Sequence, residues 1–207
     1  IIAKQFTKKQ KILARHITSY HGATNYSASF SGDARKKMIN AKDKNSIFFT
    51  DPIVYYCPTG KNYPNCQISK PENIEKIFKK NQSIAAIILE PITGSAGRIL
   101  PPKGYYEKIR KLCDKYNVLL IYDEIMSGFG RTGKWFGANH WAAKPDIVTL
   151  AKGITGGIMP LGATLISKKI SKFYDKEYFP TGLTNYAHPV SCAAAIAAIE
   201  VYKKEKL

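Results

Sequence analysis

Two short apolar runs, each followed closely by a charged residue, place the strongest constraint on how this chain folds. Residues 118–122 and 147–150 are rich in Val, Ile and Leu, and the sequence between them is polar and contains several glycines. Runs of this length and composition are typical of buried strands in a parallel sheet. Asp123 follows the first run and Lys152 follows the second. Because ligands bind beyond the carboxyl ends of such strands, the sequence predicts that Asp123 and Lys152 face one pocket.

A carboxylate and a primary amine in one strand-end pocket suit pyridoxal phosphate. The Lys152 amine would form a Schiff base with this cofactor, and the Asp123 carboxylate would keep the pyridine nitrogen protonated, so that the ring accepts electrons. Lysine and aspartate are common at strand ends, and a buried ion pair between them is the simpler alternative. The spacing alone leaves both interpretations open.

Three motifs in this region together resemble a known family. Residues 123–133 read DEIMSGFGRTG, residues 151–153 read AKG, and residues 160–163 read PLGA. Their joint occurrence is similar to the core of the class III, ω-type, pyridoxal-phosphate-dependent aminotransferases. Within that family it is most similar to enzymes that pass an ω-amino group from taurine, β-alanine or a related amine to pyruvate. The resemblance implies a fold type I large domain of the α/β class, with a mostly parallel central sheet flanked by helices, and pyridoxal 5'-phosphate (PLP) as the cofactor.

The resemblance also implies residues that hold the cofactor ring. Tyr20, in a Tyr-His-Gly turn, would stack on PLP, and His21 would be a weaker neighbour of the cofactor. Ile125, two residues after the aspartate, would pack on the opposite face of the ring. Without the resemblance, a tyrosine at this position is more often part of a core.

Two further residues receive roles from the resemblance. Glu90, after the apolar run at 84–89, would lie beside the cofactor and the path of the substrate, although an ordinary strand-end acid is the alternative. Thr184 would bind the PLP phosphate of a neighbouring subunit, which implies a homodimer, whereas by itself it reads as a turn residue. Tyr186 and Ala187 depart from the Ser-Gly pair expected after this threonine.

The remaining pattern predicts helices alternating with strands in a right-handed β-α-β series. Residues 23–70 read as a long irregular loop with at most one strand. The predicted elements are the end of a helix at the N-terminus, a strand at 11–17, a helix from Pro71, a strand at 84–89, a helix at 104–116, a strand at 161–167 and an alanine-rich helix at 190–204.

Residues 128–133 also match the dinucleotide fingerprint G-x-G-x-x-G. In that motif the glycines follow a strand directly and open an amphipathic helix. Here five residues separate the strand from the first glycine, and the sequence after the last glycine is a poor helix start. We therefore interpret the run as part of the aminotransferase motif and its aromatic residues as packing groups.

The formal net charge of +17 raises a different class of function, a non-enzymatic protein that binds anions or nucleic acid. The charge comes from 27 lysines and only 5 arginines, scattered over short clusters. Proteins that bind phosphates and bases specifically tend to use arginine. The short lysine clusters of this chain also lack the interleaved aromatic residues on which bases stack. The pattern indicates a solvated surface, and we expect no nucleic-acid or membrane partner.

The four cysteines are most simply reduced thiols. Cys57 and Cys66 bracket a loop rich in Pro, Gly and Asn, which leaves a metal site or a disulfide open as alternatives. Because the sequence has neither a signal peptide nor an apolar run approaching 18 residues, we expect a soluble cytoplasmic protein.

With 44% apolar residues, the chain can bury a core of its own. We expect residues 1–207 to form a PLP-binding large domain that is the central part of a longer aminotransferase. The family's upstream phosphate-binding segment and its C-terminal small domain have no counterpart in this sequence, so an isolated chain of this extent should expose apolar surface and be inactive. A PLP-dependent aminomutase of the same family would share every residue named here, and the amino donor and acceptor stay open.

Overall fold

The structure is a computed structural model that describes residues 1–50, 70–95, 97–179 and 181–206. Within these ranges the strands are β1 (Lys11–Arg15), β2 (Ser46–Phe49), β3 (Ile84–Leu89), β4 (Leu119–Asp123), β5 (Ile147–Leu150) and β6 (Ala163–Ile166). The helices are α1 (Ile2–Thr7), α2 (Asn25–Ser29), α3 (Arg35–Met38), α4 (Pro71–Lys80), α5 (Tyr105–Tyr116), α6 (Lys168–Tyr174) and α7 (Pro189–Glu205). Single 3-10 turns cover Gly137–His140 and Lys152–Thr155.

The strands form one sheet in the order β2-β1-β3-β4-β5-β6. All neighbouring pairs are parallel except β5 and β6, which are antiparallel. The connection between those two strands contains only a 3-10 turn and no crossover helix, so the chain turns back. Because β1, β3, β4 and β5 are successive parallel neighbours, the segments that follow them emerge at one edge of the sheet.

Helices cover both faces of this sheet, as the continuous apolar character of its strands predicts. In β3, Ile87 and Leu89 pack with the side chains of α4 and α5, whereas Ala86 and Ile88 face the side covered by α1 and α6. The alternation follows from the twofold repeat of a strand. The predicted α/β class, with a mostly parallel sheet flanked by helices, is confirmed.

Most predicted elements are observed, with ends that differ by up to two residues. The prediction was incomplete at 23–70, where the structure adds α2 and α3 to the strand β2, and it also missed α6. These helices have four to seven residues, too few for a clear apolar repeat. Residues 51–69, with Cys57 and Cys66, lie outside the described residues, and the interpretations of that loop stay predictions.

Candidate active site

The turn after β1 is held in place by hydrogen bonds from three directions. The Tyr20 backbone N–H donates to Glu90 Oε1 (2.9 Å), and the His21 backbone N–H donates to Ser31 Oγ (2.9 Å). The Gly32 backbone N–H donates to Ser19 Oγ (2.9 Å). A Cβ at position 32 would lie 2.3 Å from the His16 carbonyl oxygen, so only glycine permits this close approach. The turn therefore presents Tyr20 and His21 in a fixed orientation.

Asp123 is the last residue of β4, and its buried carboxylate meets the imidazole of His21. The distance from Asp123 Oδ2 to His21 Nδ1 is 2.8 Å, and the side chains are 5% and 3% exposed. The other carboxylate oxygen, Oδ1, accepts the backbone N–H of Ile125 at 3.2 Å. Asp123 thus pairs with His21 rather than with Lys152, and the alternative of a buried Asp123–Lys152 ion pair is wrong.

Lys152 opens the 3-10 turn after β5 and has a backbone φ of 48°. This left-handed conformation costs a non-glycine residue about 1–2 kcal/mol and is a feature of functional sites. The side chain is exposed, and its Nζ contacts Met126 Sδ. Ile125, Met126 and Lys152 all line one open cleft of about 1540 Å³. The amine of Lys152 is therefore accessible to a small molecule.

The strained turn at Lys152 is tied to helix α7 by Tyr202. The Tyr202 hydroxyl donates to the Gly153 carbonyl at 2.8 Å, and the Gly157 backbone N–H donates to the Lys152 carbonyl at 3.2 Å. Tyr202 is not predictable from the sequence, since a tyrosine late in an alanine-rich helix belongs to no motif. The contact joins α7 to the turn that carries Lys152.

We predict that Tyr202→Phe lowers turnover about fivefold. The substitution removes one hydrogen bond of about 1 kcal/mol from the turn that carries Lys152 and leaves the ring in place. Turnover and thermal unfolding of the purified variant measure the effect. Tyr178→Phe is the matched control, because that ring is 84% exposed. Equal turnover in both variants would show that Tyr202 does not position Lys152.

Glu124 organises the glycine-rich run that follows β4. Its buried carboxylate accepts hydrogen bonds from the Ser127 hydroxyl and from the backbone N–H groups of Gly137 (2.9 Å) and Ala138 (2.6 Å). The run then folds back on itself through Phe129 N–H to the Trp135 carbonyl (2.7 Å). The glycines therefore belong to a closed loop and open no helix, as expected for a sequence that is not a dinucleotide-binding motif.

We predict that Glu124→Gln destabilises the fold by about 2–4 kcal/mol. The amide would present N–H groups to donors that now meet a carboxylate, and buried donors without acceptors are costly. Urea unfolding measures the change. Glu177→Gln, at an exposed position, should leave the unfolding free energy within about 0.5 kcal/mol of the parent value. A Glu124→Gln variant as stable as that control would contradict this account of the loop.

Glu90 and Arg35 both contact Tyr20, Glu90 at its backbone N–H and Arg35 at its ring. The second carboxylate oxygen of Glu90 accepts the Gly94 backbone N–H at 2.8 Å, so this buried acid links the Tyr20 turn to the loop after β3. The Arg35 guanidinium lies 3.9 Å from the centre of the Tyr20 ring and donates to both carboxylate oxygens of Asp33. That hydrogen bonding lowers the pKa of Asp33 below its usual value. One face of the Tyr20 ring is thus covered by a cation.

Thr184 is exposed and is not among the residues that line the cleft beside Lys152. Among the other predicted site residues, Ile125 and Lys152 line this cleft, whereas Tyr20, His21, Glu90 and Asp123 do not. In the same turn Ala187 has a φ of 53°, a conformation that favours glycine. The turn thus adopts a glycine-like backbone at the position where the sequence departs from the expected Ser-Gly pair.

Metal clusters and membrane-spanning helices were looked for in residues 1–50, 70–95, 97–179 and 181–206. Within them, no group of three or more His, Cys, Asp and Glu side chains could hold a metal ion. No helix there is both long enough and apolar enough to cross a membrane.

Fold and site define an α/β domain in which a buried aspartate and an accessible lysine follow neighbouring strands of a parallel sheet. The aminotransferase class-III family matches residues 1–207. The gamma aminobutyrate transaminase 2 of Solanum lycopersicum is 36% identical over 208 residues, which cover 96% of this chain and 45% of that protein. The omega-amino acid–pyruvate aminotransferase of Pseudomonas putida is 44% identical over 132 residues, covering 60% of this chain and 29% of that protein.

Solved structures agree with this result. The taurine:2-oxoglutarate aminotransferase from Bifidobacterium kashiwanohense, solved with PLP and glutamate, matches with a TM-score of 0.91 and 37% identity. The match covers 99% of this chain and 47% of that one. The chain belongs to the aminotransferase class-III family, which confirms the predicted family. It spans about half the length of the relatives and structures that it matches.

Proposed function

We propose that the protein containing this chain is a PLP-dependent aminotransferase that moves an amino group from an ω-amino acid or amine to an oxo acid such as pyruvate. The proposal rests on the different environments of two charged residues at the carboxyl edge of the sheet, Asp123 and Lys152. Asp123 is buried and paired with His21, and Lys152, after the neighbouring strand, keeps an exposed amine with no carboxylate partner among the described residues. A structural ion pair would have joined the two. The family and the named relatives support the same activity.

The described residues fit PLP on chemical grounds. A buried carboxylate can hold a protonated pyridine nitrogen, an accessible amine can bond to an aldehyde, and the aromatic ring of Tyr20 can stack on a flat ligand. Lys152 would hold the cofactor covalently, Asp123 would hold its ring nitrogen, and Tyr20 and Ile125 would contact the two faces of the ring. When bound, PLP supplies an electron sink for the negative charge that develops on the substrate carbon next to nitrogen.

Lys152 has a second task in this proposal. Its Nζ would take a proton from that substrate carbon and return it at a different atom, as a general base and then a general acid. The exposed side chain and the glycines at 153, 156 and 157 give it room to move between these positions. Asp123, being buried and hydrogen-bonded at both oxygens, stays in place while Lys152 moves.

The donor class follows from the names of the relatives, which refer to γ-aminobutyrate, ω-amino acids and taurine. These donors share a primary amine at the end of a short chain that carries an acid group. We propose the same class for this protein. The named acceptors of the relatives are pyruvate and 2-oxoglutarate. All these relatives are named transaminases, which favours amino transfer over the aminomutase alternative.

A matrix of amino donors and oxo-acid acceptors tests this proposal. Taurine, β-alanine and γ-aminobutyrate are each paired with pyruvate or 2-oxoglutarate, and the new amino acid is quantified by chromatography. We expect alanine or glutamate to form in step with loss of donor. Rearrangement of a single amine without acceptor would instead identify an aminomutase. Anion binding that falls steeply with salt and survives Lys152→Ala, without amino transfer, would identify a binding protein.

We further propose a homodimer in which Thr184 of one subunit binds the PLP phosphate of the other. In this chain Leu183, Val190 and Ile196 are 69%, 56% and 60% exposed, an apolar surface around Thr184 and α7 that a second subunit could cover. The location of the protein in the cytoplasm stays a prediction.

Mixing two inactive variants tests this arrangement directly. Lys152→Ala removes the amine, and Thr184→Glu sets a negative charge against the phosphate. If Lys152 and Thr184 of one site come from different subunits, mixed dimers contain one intact site and one doubly defective site. Co-refolding should then restore about a quarter of wild-type activity, since half of the dimers are mixed and half of their sites are intact. Activity that stays at the level of the separate variants would place both residues in one subunit or exclude the Thr184 role.

A further inference from the structure

We propose that Arg35 is a positioning residue for Tyr20, the ring that stacks on PLP in the proposed function, on which this inference rests. The Arg35 guanidinium lies 3.9 Å from the centre of the Tyr20 ring. Because a cation at this distance is attracted to the face of an aromatic ring, the contact favours one orientation of the tyrosine. No motif of the sequence points to Arg35, which lies in the short helix α3. Arg35 acts on the cofactor through the tyrosine.

Asp33 fixes the position of the guanidinium. Arg35 Nε donates to Asp33 Oδ1 (2.7 Å), and Arg35 Nη2 donates to Asp33 Oδ2 (2.9 Å). These two hydrogen bonds set the plane of the guanidinium as well as its distance, a geometry that a lysine could not reproduce. Asp33 is in turn attached to the turn that carries the ring, because its backbone N–H donates to the Ser19 carbonyl at 3.0 Å. Arg35 is therefore held by the backbone next to Tyr20.

A second contact ties Arg35 to the loop after β3. Arg35 Nη2 also donates to Ser95 Oγ at 2.9 Å. The neighbouring Gly94 N–H donates to Glu90, whose other carboxylate oxygen accepts the Tyr20 N–H. The backbone and the ring of Tyr20 are thus connected to the same loop by two separate routes. Because 49% of the Arg35 side chain is exposed, it is these hydrogen bonds, and not burial, that restrain it.

Asp33 also balances the charge of Arg35. Because Arg35 occupies one face of the Tyr20 ring, the proposed stacking on PLP would use the other face, and an isolated cation behind the ring would repel a protonated pyridine. The hydrogen bonds from Arg35 lower the pKa of Asp33 below its usual value, so the carboxylate is ionised at neutral pH and the pair carries no net charge. The guanidinium can therefore hold the ring at close range while its repulsion of the cofactor is reduced.

A double-mutant cycle separates this role from a general contribution to the fold. Arg35→Gln removes the cation, Tyr20→Leu removes the ring, and a third variant carries both substitutions. The readout is the PLP dissociation constant of the full-length, cofactor-free protein, measured by fluorescence titration, and thermal melting checks that each variant folds. Lys36→Gln is the matched control, because Lys36 lies in the same helix and its Nζ is 4.0 Å from the centre of a different ring, that of Phe48.

We expect Arg35→Gln to weaken PLP binding about three- to tenfold in protein that has Tyr20. In the Tyr20→Leu background, the same substitution should change the dissociation constant by less than about twofold, because no ring is left to position. Lys36→Gln should also stay within about twofold of wild type. An unchanged dissociation constant in Arg35→Gln would overturn the inference. So would an equal loss with and without Tyr20, which would show that Arg35 acts by another route.

Crystal structures of the cofactor-free protein test the contact without PLP. Wild-type protein should show the Arg35 guanidinium over the Tyr20 ring and bonded to Asp33, and in Arg35→Gln the ring should change rotamer or lose its defined density. A wild-type structure with Arg35 turned away from the ring, or an unmoved and well-defined ring in Arg35→Gln, would contradict the inference. Since these structures need no PLP, that failure can be told from failure of the proposed function, in which wild-type protein would not bind PLP.

Discussion

Replacing Lys152 with alanine should abolish amino transfer, with turnover reduced by about 10⁴-fold or more. The substitution removes the proposed covalent attachment of PLP and the group that moves the substrate proton. Of the lysines in the described part of the chain, only Lys103 also lines this cleft, and it follows a different strand, so we expect little rescue by a neighbour.

Borohydride reduction followed by peptide mass spectrometry checks this result independently of turnover. In wild-type protein, the reduced cofactor should add its mass to the peptide that contains Lys152. Lys176→Ala, at an exposed position, is the matched control and should keep both the labelled peptide and the activity. A label on a different lysine, or activity that persists in Lys152→Ala, would show that Lys152 has been assigned wrongly.

Asp123→Asn should have the second largest effect, a loss of about 10²–10⁴-fold in turnover. Asparagine keeps the size of the side chain and can still accept the His21 hydrogen bond, but it carries no charge to hold a protonated pyridine nitrogen. The amide NH2 would face the Ile125 backbone N–H, which now donates to Asp123 Oδ1. We therefore expect some loss of stability, smaller than for Glu124→Gln because fewer donors are affected. The variant should therefore lose activity without losing its fold.

Steady-state kinetics and thermal melting together test this separation. Asp175→Asn is the control, since Asp175 is exposed at the end of α6, and it should match wild type in both measurements. An Asp123→Asn variant with near wild-type turnover would contradict the role of the charge. A variant that unfolds would show that Asp123 serves mainly the structure.

The site residues that follow strands were predictable from the sequence, because a buried strand is visible there as an apolar run that ends near a charged residue. The runs that became β3 and β5 were located at their observed residues, and Asp123 and Lys152 followed from the rule that parallel strands share a carboxyl edge. Their separation in sequence did not matter, because the sheet order β3-β4-β5 brings consecutive strands together. Tyr20 and Ile125 came only from the family resemblance.

The contacts that hold these residues were not predictable, since they join segments with no shared pattern. His21 and Asp123 are 102 residues apart, and Tyr202 and Gly153 are 49 apart. Each contact depends on three-dimensional packing and not on periodicity. For the same reason the spacing of Asp123 and Lys152 leaves an ion pair between them open as an alternative, whereas in the structure Asp123 pairs with His21.

The visible absorption spectrum of the protein with PLP tests the central claim most directly. Wild-type protein and Lys152→Ala are compared before and after addition of taurine or β-alanine, and again after pyruvate. We predict a cofactor band that requires Lys152, disappears when the amine is added and returns with pyruvate. If wild-type protein forms no such band, or if Lys152→Ala forms the same band with the same responses, the account of this site as a lysine-based aminotransferase centre is wrong.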